Sequence, residues 1–127
     1  MCPEYNVLYM KFESLIPILY SSDVERSIEY YIKKLSFENH WIWDEEKTFG
    51  GVSTGCVEIF FCKLDQGNPG TWLAINVDNI DEYYESIKSS QADILTAPED
   101  KPWNMREMLV RDPDGHIIRF GRKIKED

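Results

Sequence analysis

The segment RDPDGHIIRFG, residues 111–121, carries two side chains with chemical potential close together. His116 offers an imidazole, which can bind a metal or transfer a proton, and Arg119 offers a permanent cation. The Asp-Pro-Asp-Gly stretch before them has the composition of a turn, and the apolar residues after it indicate a strand. Because side chains alternate between the faces of a strand, the role of each residue depends on the face it occupies.

The rest of the chain offers few of the groups that catalysis requires. It has two histidines, and its three cysteines stand at positions 2, 56 and 62, so no Cys–His, Ser–His–Asp or CxxC arrangement can be assembled. No glycine-rich phosphate loop is present. We therefore assign no catalytic residue and no cofactor, and we lean against an enzyme. An odd number of cysteines without paired spacing also argues against a disulfide framework and favours a reducing cytoplasm.

The composition indicates an acidic, folded chain. A length of 127 residues with 43% hydrophobic residues suits one domain that buries a sizeable core. The net charge of −9 disfavours nucleic acid and membrane surfaces as partners, since both require a basic footprint. The sequence has no apolar run of about 18 residues, so it predicts no transmembrane helix. The charge would attract a cationic ligand, although an acidic surface of this kind more commonly serves solubility alone.

The chain repeats its pattern after 56 residues. An amphipathic helix is predicted for SSDVERSIEYYIKKL and a second one for VDNIDEYYESIKSSQ. Ser22 is the predicted cap of the first helix and Asn79 that of the second, each with a glutamate three residues later. We therefore expect the two helices to begin near Asp23 and Asn79.

An apolar strand precedes each helix, and three strand-like runs follow it. The runs are LIPILY, FENHWIWDE, TFGGVST and CVEIFFCKL in the first half, then TWLAINV, ADILTAP, MREMLVRD and HIIRFGRK in the second. The sequence thus predicts one α+β domain, residues 1–127, with module one at about 14–63, a linker at 64–71 and module two at about 72–123. Each module is βαβββ; a chance similarity of two helices is the alternative, which the matching strand order disfavours.

These features resemble the glyoxalase/bleomycin-resistance/extradiol-dioxygenase superfamily, also called vicinal oxygen chelate proteins. The resemblance covers about residues 14–122, and PEDKPWNMREMLVRDPDGHIIRFGR is most similar to the bleomycin-resistance branch. It implies two cupped mixed sheets with helices outside and a cavity inside, in a homodimer whose ligand crevices form between modules of the two chains. Because this fold hosts isomerases, dioxygenases, thiol transferases and non-catalytic drug binders, it does not by itself fix an activity.

The resemblance implies a metal site in the metal-dependent members of the superfamily. There, four His, Gln or Glu side chains from the first and fourth strands of each module bind the metal ion. The corresponding positions here are Ile16, Glu58, Trp72 and Arg119. Isoleucine has no lone pair, indole offers only an N–H donor and guanidinium is a cation, so only Glu58 can bind a metal. We therefore expect no metal site, and glyoxalase or dioxygenase chemistry would require displaced ligands.

We expect Arg119 to face the cavity and His116 to lie at the exposed end of its strand, and we expect His40 at the surface as well. Glu58 and Arg119 then place opposite charges at symmetry-equivalent positions. The two charges form either a buried ion pair that only satisfies itself or a pair that orients a ligand.

Aromatic side chains dominate the other positions that alternation directs towards the cavity. The predicted ligand-binding residues are Trp41, Trp43, Glu58, Phe60, Trp72, Trp103 and Arg119. Packing against a second subunit is an equal alternative for Trp41 and Trp43. These residues favour metal-independent, non-catalytic binding of a small organic molecule, of a cationic aromatic and bleomycin-like kind, as in drug sequestration. The alternatives are an enzyme of the glyoxalase or dioxygenase type with displaced ligands and a degenerate dimerisation domain without a ligand.

Overall fold

A computed structural model describes residues 10–125 of the chain. Its elements are β1 (Ile18–Tyr20), α1 (Val24–Lys33), β2 (Asn39–Ile42), β3 (Phe49–Thr54), β4 (Val57–Cys62), β5 (Trp72–Asn76), α2 (Ile80–Ile87), β6 (Asp93–Lys101), β7 (Met105–Arg111) and β8 (Ile117–Lys123). The order is βαβββ followed by βαβββ, so the predicted α+β architecture is confirmed. Over the same residues, neither helix has the length and apolar character that crossing a membrane requires.

Each module contributes one four-stranded mixed sheet. The first sheet has the order β1-β4-β3-β2 and the second β5-β8-β7-β6. In each, the first strand pairs in parallel with the fourth, and the remaining pairs are antiparallel. The two sheets therefore share one topology, as the sequence repeat predicts.

The two helices begin at equivalent positions because each has an acceptor side chain at its N-cap. Asp23 accepts a hydrogen bond from the Arg26 backbone N–H, and Asn79 accepts one from that of Glu82. The predicted starts near Asp23 and Asn79 are confirmed. The prediction of Ser22 as the first cap is wrong, because its hydroxyl instead donates to Asp114 at 2.6 Å.

Both helices pack on the same face of the sheets, and the apolar core lies between the helices and that face. One continuous cluster of buried side chains spans both modules and includes Leu19, Val24, Ile28, Tyr31, Val52, Ile59, Phe61, Ile75, Ile80, Ile87, Met108, Val110, Ile118 and Phe120. Burial of this apolar surface is the main stabilising contribution to such a fold. The helices thereby leave the other face of each sheet uncovered.

We call that other face the open face of each sheet. Strand register assigns to the open face of the first sheet Ile18, Trp41, Phe49, Gly51, Glu58 and Phe60. Register likewise assigns to the open face of the second sheet Trp72, Ala74, Asn76, Glu107, Arg119 and Gly121. Arg119 is thus on the face that the sequence predicted for it, opposite the buried Ile118 and Phe120.

His116 belongs to the junction between the modules. It is fully buried, so the prediction that it lies at an exposed strand end is wrong, whereas His40 is exposed as expected. The His116 Nδ1 accepts a hydrogen bond from the Thr71 backbone N–H at 3.0 Å. Nε2 therefore carries the proton and donates to the Tyr20 carbonyl oxygen at 2.7 Å. The imidazole fixes the start of β8 against the end of β1 and has a structural role.

The Asp-Pro-Asp-Gly turn completes this junction. Asp112 accepts hydrogen bonds from the backbone N–H groups of Asp114 and His116 through Oδ1, and from the Tyr31 hydroxyl through Oδ2 at 2.8 Å. Asp114 in turn accepts from the Ser22 backbone N–H and hydroxyl at the beginning of α1. The turn that precedes β8 therefore anchors the second module to the first helix.

Candidate functional site

Glu58 and Arg119, which the sequence predicted to be symmetry-equivalent, are offset from each other by two residues along their strands. Ile18 pairs with Phe60 in the first sheet, and Ala74 pairs with Arg119 in the second. Ile18 and Ala74 are equivalent positions of the 56-residue repeat, so their strand partners Phe60 and Arg119 are also equivalent. The prediction that Glu58 and Arg119 are equivalent is therefore wrong, because Glu58 lies one strand pair further along.

The donor groups at the four positions that the resemblance links to metal binding do not fit a metal ion. Ile16, Trp72 and Arg119 offer no lone pair, which leaves one carboxylate at Glu58. Within residues 10–125, no three His, Cys, Asp or Glu side chains come together in a way that could hold an ion. We therefore derive no chemistry through a metal at this site.

Three aromatic rings pack together on the open face of the first sheet. The Trp41 ring centroid lies 5.6 Å from that of Phe49 and 5.1 Å from that of Phe60, and the two phenyl centroids are 5.5 Å apart. We call these residues the aromatic cluster. All three are half-buried, so they retain accessible ring surface. The sequence singled out Trp41 and Phe60 but missed Phe49, which alternation along β3 relates to the other open-face positions.

Gly51 makes the aromatic cluster possible. It lies opposite Trp41 in the β2–β3 pair, and a Cβ at this position would lie 2.8 Å from the indole Nε1. Real Cβ atoms do not approach a ring so closely, so any side chain here would displace the indole. The glycine thus lets the Trp41 ring lie flat on the sheet.

Two other tryptophans that the sequence predicted to bind a ligand, Trp43 and Trp72, are largely exposed to solvent. Trp43 lies just beyond the end of β2 and is 78% exposed, and Trp72 begins β5 and is 61% exposed. Among the described aromatic ring contacts, which involve the aromatic cluster and the core, neither indole takes part. The structure therefore brings Trp41 and Phe60 together but does not add Trp43 or Trp72 to them.

Glu58 lies beside the aromatic cluster. It precedes Phe60 by two residues on the same face of β4, which places the two side chains about 7 Å apart along the strand. A cavity of about 250 Å³ between β4 and β5 is lined by Glu58 together with Ala74 and Asn76. Within residues 10–125, the Glu58 carboxylate takes part in neither a salt bridge nor a hydrogen bond. Glu58 is thus an unpaired negative charge next to aromatic surface.

A second arrangement on the open face of the second sheet centres on Glu107, and we call it the Glu107 group. The Trp103 indole N–H donates to Glu107 Oε2 at 3.1 Å, and the Arg119 Nε lies 3.5 Å from the same oxygen. The Glu107 side chain is 4% exposed and that of Arg119 is 46% exposed. The partner of Arg119 is therefore Glu107, and the ion pair with Glu58 that the sequence left open does not form.

The hairpin register explains why Glu107 belongs to this face. Arg111 pairs with Ile117 on either side of the turn, so counting outwards pairs Leu109 with Arg119 and Glu107 with Gly121. Sequence reasoning missed Glu107 because it did not count back from the Asp-Pro-Asp-Gly turn. That turn supplied the signal, since the turn length fixes the register of a hairpin.

Two further cations of the second sheet are also paired with carboxylates. Arg111 Nε lies 2.9 Å from Asp93 Oδ2, and Lys101 forms a salt bridge with Glu99. Register places Arg111 and Lys101 on the same face as Arg119. These pairs, together with the Glu107 group, balance much of the charge of the second sheet.

The cysteines differ from the sequence expectation. Cys62 is a free, buried thiol, whereas Cys56 is disulfide-bonded. The sequence argued against a disulfide framework and did not predict this bond, so the cysteines no longer support a reducing cytoplasm. While the bond is intact, the Cys56 sulfur cannot serve as a nucleophilic thiol.

Comparison with known proteins places this chain in a family. The Glyoxalase/Bleomycin resistance protein/Dioxygenase superfamily profile matches residues 13–120, and the chain belongs to that superfamily. Among its relatives are bleomycin resistance proteins of Geobacillus stearothermophilus and Staphylococcus aureus strain MRSA252. Each is 30% identical over 132 aligned residues, which span 87% of this chain and 96% of the relative.

Two solved structures share this fold. TioX from Micromonospora sp. ML1 superposes with a TM-score of 0.75 at 22% identity and covers 87% of this chain and 98% of its own. The bleomycin-binding protein of Streptomyces verticillus, complexed with copper(II)-bleomycin, gives a TM-score of 0.74 at 23% identity, with coverage of 93% and 100%. At these identities the likeness establishes the glyoxalase/bleomycin-resistance fold.

Proposed function

We propose that this protein binds a small organic molecule with a planar aromatic part and a cationic group, and sequesters it without metal and without catalysis. The observation that carries the proposal is the position of the unpaired Glu58 carboxylate beside the aromatic cluster. Aromatic rings bind planar groups by stacking, and they also attract cations through their π faces. A carboxylate at the same place adds a specific partner for positive charge.

The balance of charges supports a cationic rather than an anionic ligand. Arg119 opposes a cation only while its own charge is uncompensated, and Glu107 compensates it. The net charge of −9 also raises the local concentration of a cation near the protein. Glu58 therefore decides the local charge preference of the site.

The relatives suggest which molecules to test first. Two are named bleomycin resistance proteins, and the Streptomyces verticillus protein is complexed with copper(II)-bleomycin. Bleomycin-type glycopeptides combine planar rings with a positive charge, so they meet both requirements of the site. We propose a bleomycin-like drug as the ligand class.

We further propose that two copies of the chain form a homodimer around the ligand. One chain leaves Trp43 and Trp72 largely exposed, and Leu15 at the cavity beside Glu58 is 86% exposed. A second copy could cover these apolar surfaces and bring the open face of its second sheet, with Trp103 and Arg119, opposite the aromatic cluster. Sedimentation at several protein concentrations should then give a dimer. A concentration-independent monomer would remove the crevice between subunits.

The test of binding is a titration with metal-free bleomycin, followed by tryptophan fluorescence and melting temperature. We expect quenching, a higher melting temperature and an affinity that falls as salt screens the charges. Glu58→Gln should weaken binding about tenfold, which corresponds to one partly screened unit charge near the ligand.

Glu29→Gln is the matched control, because Glu29 is an exposed residue of α1 and its loss changes the net charge equally. Unchanged fluorescence and melting temperature with micromolar drug would refute the proposal. Equal weakening by both substitutions would show that only the overall charge matters. Binding of copper-loaded drug alone would contradict metal-independent binding.

A further inference from the structure

Glu107 is a nearly fully buried carboxylate on a sheet face that is otherwise accessible. The Glu107 residue is 3% exposed, whereas Arg119 and Trp103 beside it are both exposed. Burying an ionised carboxylate is costly unless hydrogen bonds and an opposite charge compensate it. Trp103 and Arg119 supply both at a single oxygen, Oε2.

The backbone around Glu107 provides space for this arrangement. Gly121 lies opposite Glu107 in the β7–β8 pair, and a Cβ there would lie 3.1 Å from the Glu107 Cγ. The glycine thus lets the carboxylate lie against the sheet and reach the Arg119 guanidinium. Glu99, which pairs with Glu107 from the other side, is itself paired with Lys101. The compensation of Arg119 therefore depends on Glu107.

We propose that Glu107 determines the charge selectivity of the ligand site. By neutralising Arg119 and holding the Trp103 indole through its N–H, Glu107 leaves Glu58 as the uncompensated charge, so the site accepts a cationic group. Without the Glu107 charge, Arg119 would instead favour an anionic group such as a carboxylate or sulfonate. This inference rests on the proposed function and adds a positioning residue to it.

The size of the effect follows from one unit charge. At about 10 Å and in the partly screened environment of a protein surface, removing a charge changes the affinity for a charged group by about tenfold. The effect has opposite signs for cations and anions, whereas a general loss of structure weakens both. The ratio of the two affinities therefore separates selectivity from stability.

The test compares two planar probes of opposite charge, metal-free bleomycin and anilinonaphthalene sulfonate, with four proteins. Glu107→Gln keeps the size of the side chain and an oxygen that can accept from Trp103, but it removes the charge. We expect it to weaken bleomycin about tenfold and to strengthen the sulfonate. Arg119→Gln should shift the ratio of affinities in the opposite direction. The double substitution Glu107→Gln/Arg119→Gln should return the ratio towards that of the unchanged protein.

Melting curves and circular dichroism of each variant report whether it is folded. The inference is overturned if folded variants bind bleomycin and the sulfonate in the same ratio as the unchanged protein. It is also overturned if the two single substitutions shift the ratio in the same direction. Failure of the unchanged protein to bind bleomycin refutes the proposed function, and this inference with it, before any variant is measured.

Discussion

The open faces of the two sheets have the same strand order but present different chemistry. The first places an indole over a glycine, Trp41 over Gly51, and surrounds it with rings. The second places a carboxylate next to a glycine, Glu107 beside Gly121, and surrounds it with charged partners. In both cases a residue without a side chain makes room for the group that characterises the face.

The difference shows that the net charge of the chain does not describe its site. The second sheet carries more ionised groups on its open face, yet three cations there are paired: Arg119 with Glu107, Arg111 with Asp93 and Lys101 with Glu99. The first sheet is mostly apolar there, yet it carries the unpaired Glu58. One unpaired carboxylate beside aromatic rings therefore matters more to a ligand than several pairs that compensate each other.

The largest effect is expected from Trp41→Ala, which removes the centre of the aromatic cluster. If the first sheet holds the planar part of the ligand, the substitution should cost ~2–4 kcal/mol of binding free energy, as for a buried aromatic anchor. Titration calorimetry measures the loss, and sedimentation shows whether assembly is lost with it. Phe12→Ala is the control, because Phe12 is 95% exposed and lies outside the strands of both sheets, and it should cost less than about 1 kcal/mol. Equal losses would mean that the aromatic cluster is not the binding surface.

A pair of glycine substitutions tests whether the two faces depend equally on their space. Gly51→Ala pushes a Cβ to within 2.8 Å of a rigid indole, and we expect it to lower the free energy of unfolding by ~1–3 kcal/mol. Gly121→Ala brings a Cβ to 3.1 Å from the Glu107 Cγ and 3.3 Å from the Arg106 carbonyl oxygen, which are longer approaches than the 2.8 Å at Gly51. We expect a cost below about 1 kcal/mol there.

Urea unfolding monitored by circular dichroism measures both glycine variants. Gly51→Ala should also weaken the binding of a planar ligand, because it tilts the Trp41 ring. A larger loss of stability for Gly121→Ala than for Gly51→Ala would reverse the comparison and show that the charged face has the tighter packing.

The architecture was predictable from the sequence because its signals are local. Apolar periodicity within about fifteen residues marks each helix, and alternation marks each strand. The N-cap pair Asp23 and Asn79, separated by the repeat distance, fixed where the helices begin. The sequence also placed Arg119 on the correct face, because face assignment needs only the parity of positions after the turn.

The contacts of the site were less predictable because they depend on register and on distant partners. His116 is bonded to Thr71 and to Tyr20, which are 45 and 96 residues away in sequence, and only the fold brings them together. A small error in matching the strands made Glu58 the counterpart of Arg119. The neighbour on β7, Glu107, became visible only through the β7–β8 register.

A further effect on stability at neutral pH is expected at the junction between the two modules that carry the open faces. The Tyr31 hydroxyl donates to the buried carboxylate of Asp112, and burial followed by the charge of Asp112 raises the pKa of Tyr31 well above its ordinary value. The Tyr83 hydroxyl donates to the Leu35 carbonyl oxygen, and burial raises its pKa as well. Tyr31→Phe should cost about 1.5–3 kcal/mol at neutral pH, because it removes a hydrogen bond to a buried carboxylate.

The same hydroxyls predict how stability depends on pH. A group whose pKa is raised on folding stabilises the protein fully below its unfolded pKa, about 10 for tyrosine, and the stabilisation is lost as pH rises through the folded value. Each such tyrosine can remove up to about 1.4 kcal/mol per pH unit in that window. Urea unfolding between pH 8 and pH 11 should therefore show a plateau followed by a loss. Tyr83→Phe should make that loss shallower, because it removes one of the two buried hydroxyls. A flat profile to pH 11 would contradict the raised pKa values of these two tyrosines.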